Sequence, residues 1–599
     1  MALRDLILPA LVGSILIATL SGREALRDVP GGGGPRSPAQ NSHLSFVETA
    51  SASGLQFTHQ LAFPNPHAPR AVLEFNAIYP SVAVADLDGD GEWDVVLTSP
   101  DQEVGVRIFQ GSRSGRWQEV TRAWRLRAGD MVSRVIAADV NGDGRADLLM
   151  SRYGCHQVFV QTQRAGPPQF AEVPDAFGGD CSNAVGLNVG DLDGDSHLDV
   201  LLANYWFEDD LREKIPRTPR LRSTWLSQTG GQSQVLWGDG TGKFRASTEA
   251  HRSIAHLPRS YANNFSLFDV DGDGRLDFYQ ANDYQFDRLV LNRPEGFIDV
   301  TDQYIQRRFH GLNGMNTDVG DWNADGLLDL YVGNISAPPF MAYNNVLWTR
   351  SSEGGFFDAS RSTGTGNCGW TWSGRWADFD NDSLLDLFVV NGRFRGRGAT
   401  EAQAGSLWHA RAMATDIPAF LRALDPSIDY PSTARRQLSS FQASCLFVQQ
   451  AHGRFVDHAR AAGVTDLDDG YGVASLDFNH DGRMDFLVVN RAAPVMLYVN
   501  QTQPMGNWIG VELRNRAGHP ATWGSLVELR GADGWKRVSL SYPTNTFNSQ
   551  SDPRLHFGLG GAQGPLEVEV QWRKGVREVF ALADHNAYHR IQEGKGSSR

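Results

Sequence analysis

From about residue 80 to residue 500 the chain alternates short apolar runs with polar, turn-rich clusters, always in the same order. An apolar run such as "SVAVA" or "GVASL" leads into a polar nonapeptide. A second run follows at once ("VVLTS", "LYVGN", "FLVVN"), then a third ("VRIFQ", "QVFVQ", "QVLWG", "RLVLN", "NVLWT", "CLFVQ", "VMLYV"). A fourth closes most units: "RWQEVT", "QFAEVP", "KFRAST", "GFIDVT", "FFDAS", "RFVDHA". Runs of this length, rich in β-prone residues and bounded by turn formers, predict strands.

The nonapeptide is "DLDGDGEWD" at Asp86, "DVNGDGRAD" at Asp139, "DLDGDSHLD" at Asp191 and "DVDGDGRLD" at Asp269. It recurs as "DWNADGLLD" at Asp321, "DFDNDSLLD" at Asp378 and "DFNHDGRMD" at Asp477. Start-to-start gaps are 53, 52, 78, 52, 57 and 99 residues, so the period is 52–57 with two enlarged units. Four strands per unit at a period near 50 predict propeller blades. After the seventh motif "VMLYVNQT" runs straight into "QPMGNWIGVELR" with no fourth strand. The missing strand is "LSFVETA", Leu44–Ala50. The expected fold is therefore all-β, a seven-bladed β-propeller whose N-terminal strand completes the last blade, which removes two exposed sheet edges.

The nonapeptides place oxygen ligands at positions 1, 3, 5, 7 and 9, with the backbone carbonyl serving at position 7. These are Asp86, Asp88, Asp90, Glu92 and Asp94 in the first copy, and Asp139, Asn141, Asp143, Arg145 and Asp147 in the second. Next come Asp191, Asp193, Asp195, His197 and Asp199, then Asp269, Asp271, Asp273, Arg275 and Asp277. The last three sets are Asp321, Asn323, Asp325, Leu327, Asp329; Asp378, Asp380, Asp382, Leu384, Asp386; and Asp477, Asn479, Asp481, Arg483, Asp485. Such a set suits Ca²⁺, which takes six to eight oxygens, better than Mg²⁺, which prefers waters in tight octahedral geometry. Up to seven Ca²⁺ are expected, held structurally, so that binding energy becomes folding energy. Metal-free Asx turns would explain one copy but not identical offsets in seven. An EF-hand is excluded: its required Glu is absent three residues after the last Asp, and the flanks are strand-like. Ser196 and Ser383, at position 6, mark two weaker sites.

The 599-residue length calls for more than one domain. A net charge of −14 disfavours nucleic acid. Leu6–Leu20 is an apolar run behind Arg4, short for a membrane span, and reads as a signal peptide, with a retained anchor as the alternative. The "GGGGPRSPAQNS" that follows is a linker. Expected boundaries are 1–22 signal peptide, 23–43 linker, 44–503 propeller, 504–593 C-terminal β domain and 594–599 tail. Four cysteines in an exported chain allow two disulfides. All four map to the face opposite the acidic loops, and proximity there favours Cys155–Cys181 and Cys368–Cys445.

Two insertions, Tyr205–Gln232 and about Gly392–Gln442, share that opposite face. They carry Trp206, Arg220, Arg222 and Trp225, and Arg393, Arg395, Trp408 and His409, a set able to grip an anionic or carbohydrate ligand by charge and stacking. A self-packed cap is the alternative. "GWTWSGRW" (Gly369–Trp376) alternates as a strand, so its tryptophans are expected to pack between blades. Asn204, Asn282, Asn334, Asn391 and Asn490 stand five residues after the last motif Asp and read as turn formers.

The blades resemble the FG-GAP/VCBS repeats of integrin α-type propellers. The tail "GNWIGVEL…WGSLVELRG…SQSDPRLHFGLGG…LEVEVQWRKGV" resembles the ASPIC/UnbV domain, with Ser549–Gly560 its most specific stretch. The pairing is similar to the cartilage acidic protein family and its bacterial relatives. "LSYPTNTFN", just before that stretch, departs from the Gly/Ser-rich run such domains more often carry, so no ligand role carries over to it. The alternating runs of the tail predict a small β-sandwich or barrel. Asp552 and Arg554 are expected as a structural ion pair beside a half-buried His556, because no nucleophile–base–orienter set surrounds them. The functional expectation is a non-enzymatic, secreted, periplasmic or cell-surface scaffold that binds a protein or glycan. The alternative is an enzyme acting on a polysaccharide or other anionic polymer at the insert face.

Overall fold

In a computed structural model of the chain, the residues described are 44–60, 80–99, 105–129, 131–152, 154–163, 166–182, 184–205, 230–283, 285–305, 313–337, 341–342, 344–392, 442–520 and 522–598. The chain is mostly β, built from many four-stranded antiparallel sheets, an arrangement consistent with a propeller. Each sheet that precedes the C-terminal region contains one acidic loop, which joins its first two strands; in the first sheet Val82–Ala85 leads into the loop and Asp94–Thr98 leaves it.

Position in the sheet explains the sequence of each strand. The first strands are covered on both faces, so they are buried from end to end: Val82–Ala85, Val132–Ala138, Ala184–Gly190, Tyr261–Phe268 and Asp469–Leu476. The fourth strands are edges. Phe46, Phe170, Phe244, Phe297, Phe356 and Phe455 are buried there, and the residues after them turn outward. Each first strand lies against its counterpart in the next sheet, through Asn316–Gly320 and Gly369–Ala377 to Asp469–Leu476, which lies against Val82–Ala85. The final sheet is completed from the other end of the chain: Phe46 pairs with Asn500, Val47 with Val499 and Glu48 with Tyr498.

Both disulfides form as the sequence predicts, Cys155–Cys181 and Cys368–Cys445. Trp370, Trp372 and Trp376 are buried, with Trp372 stacked on Tyr471 of the neighbouring sheet at 4.4 Å between ring centroids. The recurrent asparagines are buried, and several hold the link between second and third strands. Asn204 Nδ2 donates to the Gln232 carbonyl (2.8 Å) and Asn490 Nδ2 to the Pro494 carbonyl (2.9 Å).

The C-terminal region forms two further sheets. Asn507–Arg514 lies between Leu555–Gly560 and Ala587–Gln592, and Leu526–Gly531 lies between Lys536–Leu540 and Leu566–Gln571. Ile509, Val511, Val527, Leu529, Val568 and Val570 form their shared core.

Between Leu540 and Leu555 the chain leaves these sheets and enters the space bounded by the first strands, where residues 544 to 551 are all buried. Arg134 Nη2 donates to the Thr544 carbonyl (2.7 Å), Asn264 Nδ2 to the Asn545 carbonyl (2.7 Å), and Phe547 N to Asn316 Oδ1 (2.8 Å). Thr544 Oγ1 donates to Asn188 Oδ1 (2.6 Å), Gln550 Oε1 accepts from Ala137 N (2.8 Å), and Asp552 N donates to the Ser475 carbonyl (2.9 Å). Phe547 stacks on Trp372, and Ser549–Gln550 adds in parallel to Val82–Ala85. Residues of every acidic-loop sheet thus meet this one segment.

Candidate metal centres

The geometry of the acidic loops starts at the backbone. At position 6 the chain is left-handed in every copy, with φ between 77° and 88° at Gly91, Gly144, Ser196, Gly274, Gly326, Ser383 and Gly482. Glycine adopts that conformation freely, whereas a side chain there is strained by about 1–2 kcal/mol, a burden that falls on Ser196 and Ser383. The turn points backbone N–H groups at the first aspartate. Asp86 Oδ1 accepts from Gly89 N (2.7 Å) and Oδ2 from Gly91 N (3.1 Å); Asp269 does the same with Gly272 and Gly274 (2.7 and 2.8 Å).

Position 9 has a role that the spacing alone does not reveal. Its carboxylate is buried and ties the loop to the third strand. Asp277 Oδ2 accepts from Val270 N (2.8 Å) and Oδ1 from Asn292 N (2.7 Å). Asp94 holds Leu87 N and Gly111 N (both 2.9 Å), and Asp485 holds Phe478 N (3.0 Å) and Asn500 N (2.8 Å). Position 7 also does more than offer a carbonyl. Arg145, Arg275 and Arg483 fold back to pair with Asp143, Asp273 and Asp481 at position 5, and His197 Nδ1 lies 3.3 Å from Asp195.

Carboxylates from three positions converge in four loops: Asp86, Asp88 and Asp94; Asp191, Asp193 and Asp199; Asp269, Asp271 and Asp273; and Asp378, Asp380 and Asp386. In each group the candidate ligand atoms lie within 4.8 Å of one another. The loops at Asp139, Asp321 and Asp477 are the three with Asn at position 3, so they bring one carboxylate fewer.

Burial, reinforced by neighbouring aspartates, pushes Asp86 up to about 6, Asp147 to about 7, and Asp199 and Asp277 to about 8. Asp386 and Asp485 are pushed well above the usual carboxylate range for the same reasons. An all-oxygen donor set, gathered this closely and carrying this much unfavourable charge, fits a hard dication. These four triads could hold ions.

The C-terminal sheets lie over the acidic loops. Arg573 Nη1 reaches Asp191 Oδ2 (3.2 Å), Tyr588 OH donates to Asp477 Oδ2 (2.7 Å), and His519 Nδ1 lies 3.9 Å from Asp139. Arg537 Nε donates to the Ser383 carbonyl (2.9 Å). Asp552 and Arg554 form the expected ion pair (2.7 Å), almost wholly buried. His556 stacks on Trp508, and burial beside Arg554 pushes it down to about 3, which keeps it neutral. The insert-face candidates Trp206, Arg220, Arg222, Trp225, Arg393, Arg395, Trp408 and His409 lie outside the described residues.

These features define a protein of repeated acidic-loop β-sheets joined to a separate C-terminal pair of sheets. Models of two families match accordingly: the FG-GAP-like repeat over 77–150 and 269–332, and ASPIC and UnbV over 515–598. The chain carries FG-GAP-like repeats and a C-terminal ASPIC/UnbV domain, and it is distantly homologous to cartilage acidic protein 1. The Xenopus tropicalis protein of that name is 22% identical over 498 residues, 75% of this chain and 71% of its own length. The Homo sapiens one is 23% identical over 498 residues, 74% of this chain and 68% of its own length. Among solved structures, BBS1N in complex with ARL6DN, soaked with lead, aligns at a TM-score of 0.37 with 9% identity, covering 74% of this chain and 97% of that one.

Proposed function

We propose that the chain is an exported, calcium-stabilised propeller of seven blades, spanning 44–503, with its ASPIC/UnbV domain at 504–593. In this reading up to seven Ca²⁺ sit in the acidic loops and fix the hairpins. The molecule acts without catalysis as a binding, adhesion or envelope scaffold that presents a protein or glycan partner to the face opposite those loops. The observation that carries this reading is the filling of the central space by residues 544–551 while the C-terminal sheets overlie the acidic loops. A propeller whose centre and loop face are taken up by its own chain has its opposite face left for a partner. Loops carried on a rigid scaffold are where binding concentrates, and Cys155–Cys181 and Cys368–Cys445 pin connections on that side. The disulfides also favour an oxidising compartment, whether secreted, periplasmic or at the cell surface.

The test is a screen of the calcium-loaded chain against glycan and protein arrays, repeated in chelator. Retention of a partner that is lost with chelator or on replacing Arg393 and Arg395 supports the reading. Turnover of a polysaccharide, with no retained partner on either array, contradicts it.

A further inference from the structure

The seven loops are alike in sequence but not in surroundings. Two adjacent ones, beginning at Asp378 and Asp477, are held by the C-terminal domain, the first through the turn that follows Asp378 and the second at the position-1 aspartate itself. At the first of these, Gly560 N donates to the Asn381 carbonyl (2.7 Å) and Gly506 N to the Asp380 carbonyl (3.2 Å). His556 Nε2 meets Asn381 Oδ1 (2.7 Å). The fit is close enough that a Cβ on Gly558 would collide with Asp378 Oδ2. Asn381 Nδ2 then donates to the Gly482 carbonyl (2.9 Å), which joins this loop to the next.

At the loop of Asp477, Tyr588 OH donates to Oδ2 (2.7 Å), the oxygen that also accepts from Gly482 N (2.9 Å). Arg554 Nη2 donates to the Asp477 carbonyl (3.3 Å). The guanidinium is fixed by Asp552 and lies over the rings of Tyr588 (3.8 Å) and Trp93 (4.5 Å). By contrast, the donors to the Asp86 and Asp269 carboxylates among the described residues are backbone N–H groups of their own loops, and the C-terminal group that reaches Asp191 Oδ2, Arg573 Nη1 (3.2 Å), brings positive charge that opposes a dication.

Groups that hydrogen-bond a ligating carboxylate set its orientation and basicity, and their loss costs about 10–100-fold in metal affinity. We propose that Tyr588 and the stretch Arg554–Gly560 are positioning residues for the cation sites of the Asp378 and Asp477 loops, so that cation binding at these two loops and docking of the C-terminal sheets are a single coupled event. Tyr588 suits this role because it is neutral: it steers Asp477 Oδ2 without adding positive charge that would oppose a dication. The proposal rests on the calcium reading above and adds that two of the sites are completed by the second domain.

The experiment is calorimetric titration of CaCl₂ into the chelator-stripped full chain, wild type, Tyr588→Phe and Gly558→Ala, with melting curves in calcium and in EDTA. Tyr588→Phe is expected to move one site to about 10–100-fold weaker binding and to shrink the calcium-dependent gain in Tm. Gly558→Ala is expected to do the same for the Asp378 loop; should it fail to fold, Tyr588→Phe carries the test alone. If wild type binds calcium and Tyr588→Phe gives the same isotherm, with Tm lowered equally in calcium and EDTA, Tyr588 is merely structural and the proposal falls. If wild type itself binds no calcium, the calcium reading falls and takes the proposal with it.

Discussion

Asp277 uses both its oxygens on backbone donors that lie 22 residues apart in sequence, Val270 N and Asn292 N. Its carboxylate is thus a strand clamp whether or not a cation is present. Asparagine keeps one acceptor and turns an N–H₂ towards a donor, so Asp277→Asn is expected to cost about 1–3 kcal/mol even in chelator. Urea unfolding in EDTA at about pH 9, where Asp277 is ionised without metal, measures it, and an unshifted midpoint would show that position 9 serves only the metal. The sequence made the carboxylate legible through its offset, repeated in every copy. It did not reveal the clamp, because the partner is a backbone N–H, which has no sequence signature.

Each acidic loop as an element stores charge that a dication or a proton can relieve. Asp86, Asp147, Asp199 and Asp277 stand at about 6, 7, 8 and 8 when no metal is bound, above the ordinary 3.8. Carboxylates raised on folding contribute stability that is complete below the unfolded value and is lost as pH rises through the folded one. The chelated protein is therefore expected to melt at higher temperature at pH 6 than at pH 8. Calcium binding requires deprotonated ligands and strengthens in the opposite direction. The gap in Tm between calcium and EDTA should widen steadily from pH 6 to pH 8; a constant or narrowing gap contradicts the account. At this scale the sequence was most informative. Four runs per unit and one absent fourth run placed Phe46–Glu48 beside Met496–Asn500, where it lies, because a strand buried on one face leaves an alternating trace that survives 450 residues of separation.

For the whole molecule the segment from Thr544 to Ser551 matters most, since it ties the C-terminal sheets to every acidic-loop sheet. Its polar bonds cannot be lost without leaving Arg134, Asn188, Asn264 and Asn316 short of partners inside the ring. Scanning calorimetry of the calcium-loaded chain is expected to show one transition; two well-separated ones would mean that the domains melt independently. "LSYPTNTFN" has no period that foretells this. The readable trace lay in its partners, polar side chains set within strands that are otherwise wholly buried. The central claim remains that the acidic loops hold dications. Its most direct test is a long-wavelength anomalous map from crystals grown in calcium. Peaks are predicted inside the loops, at the four all-aspartate triads first and at up to seven positions in total; a map with no peak in any loop would contradict it.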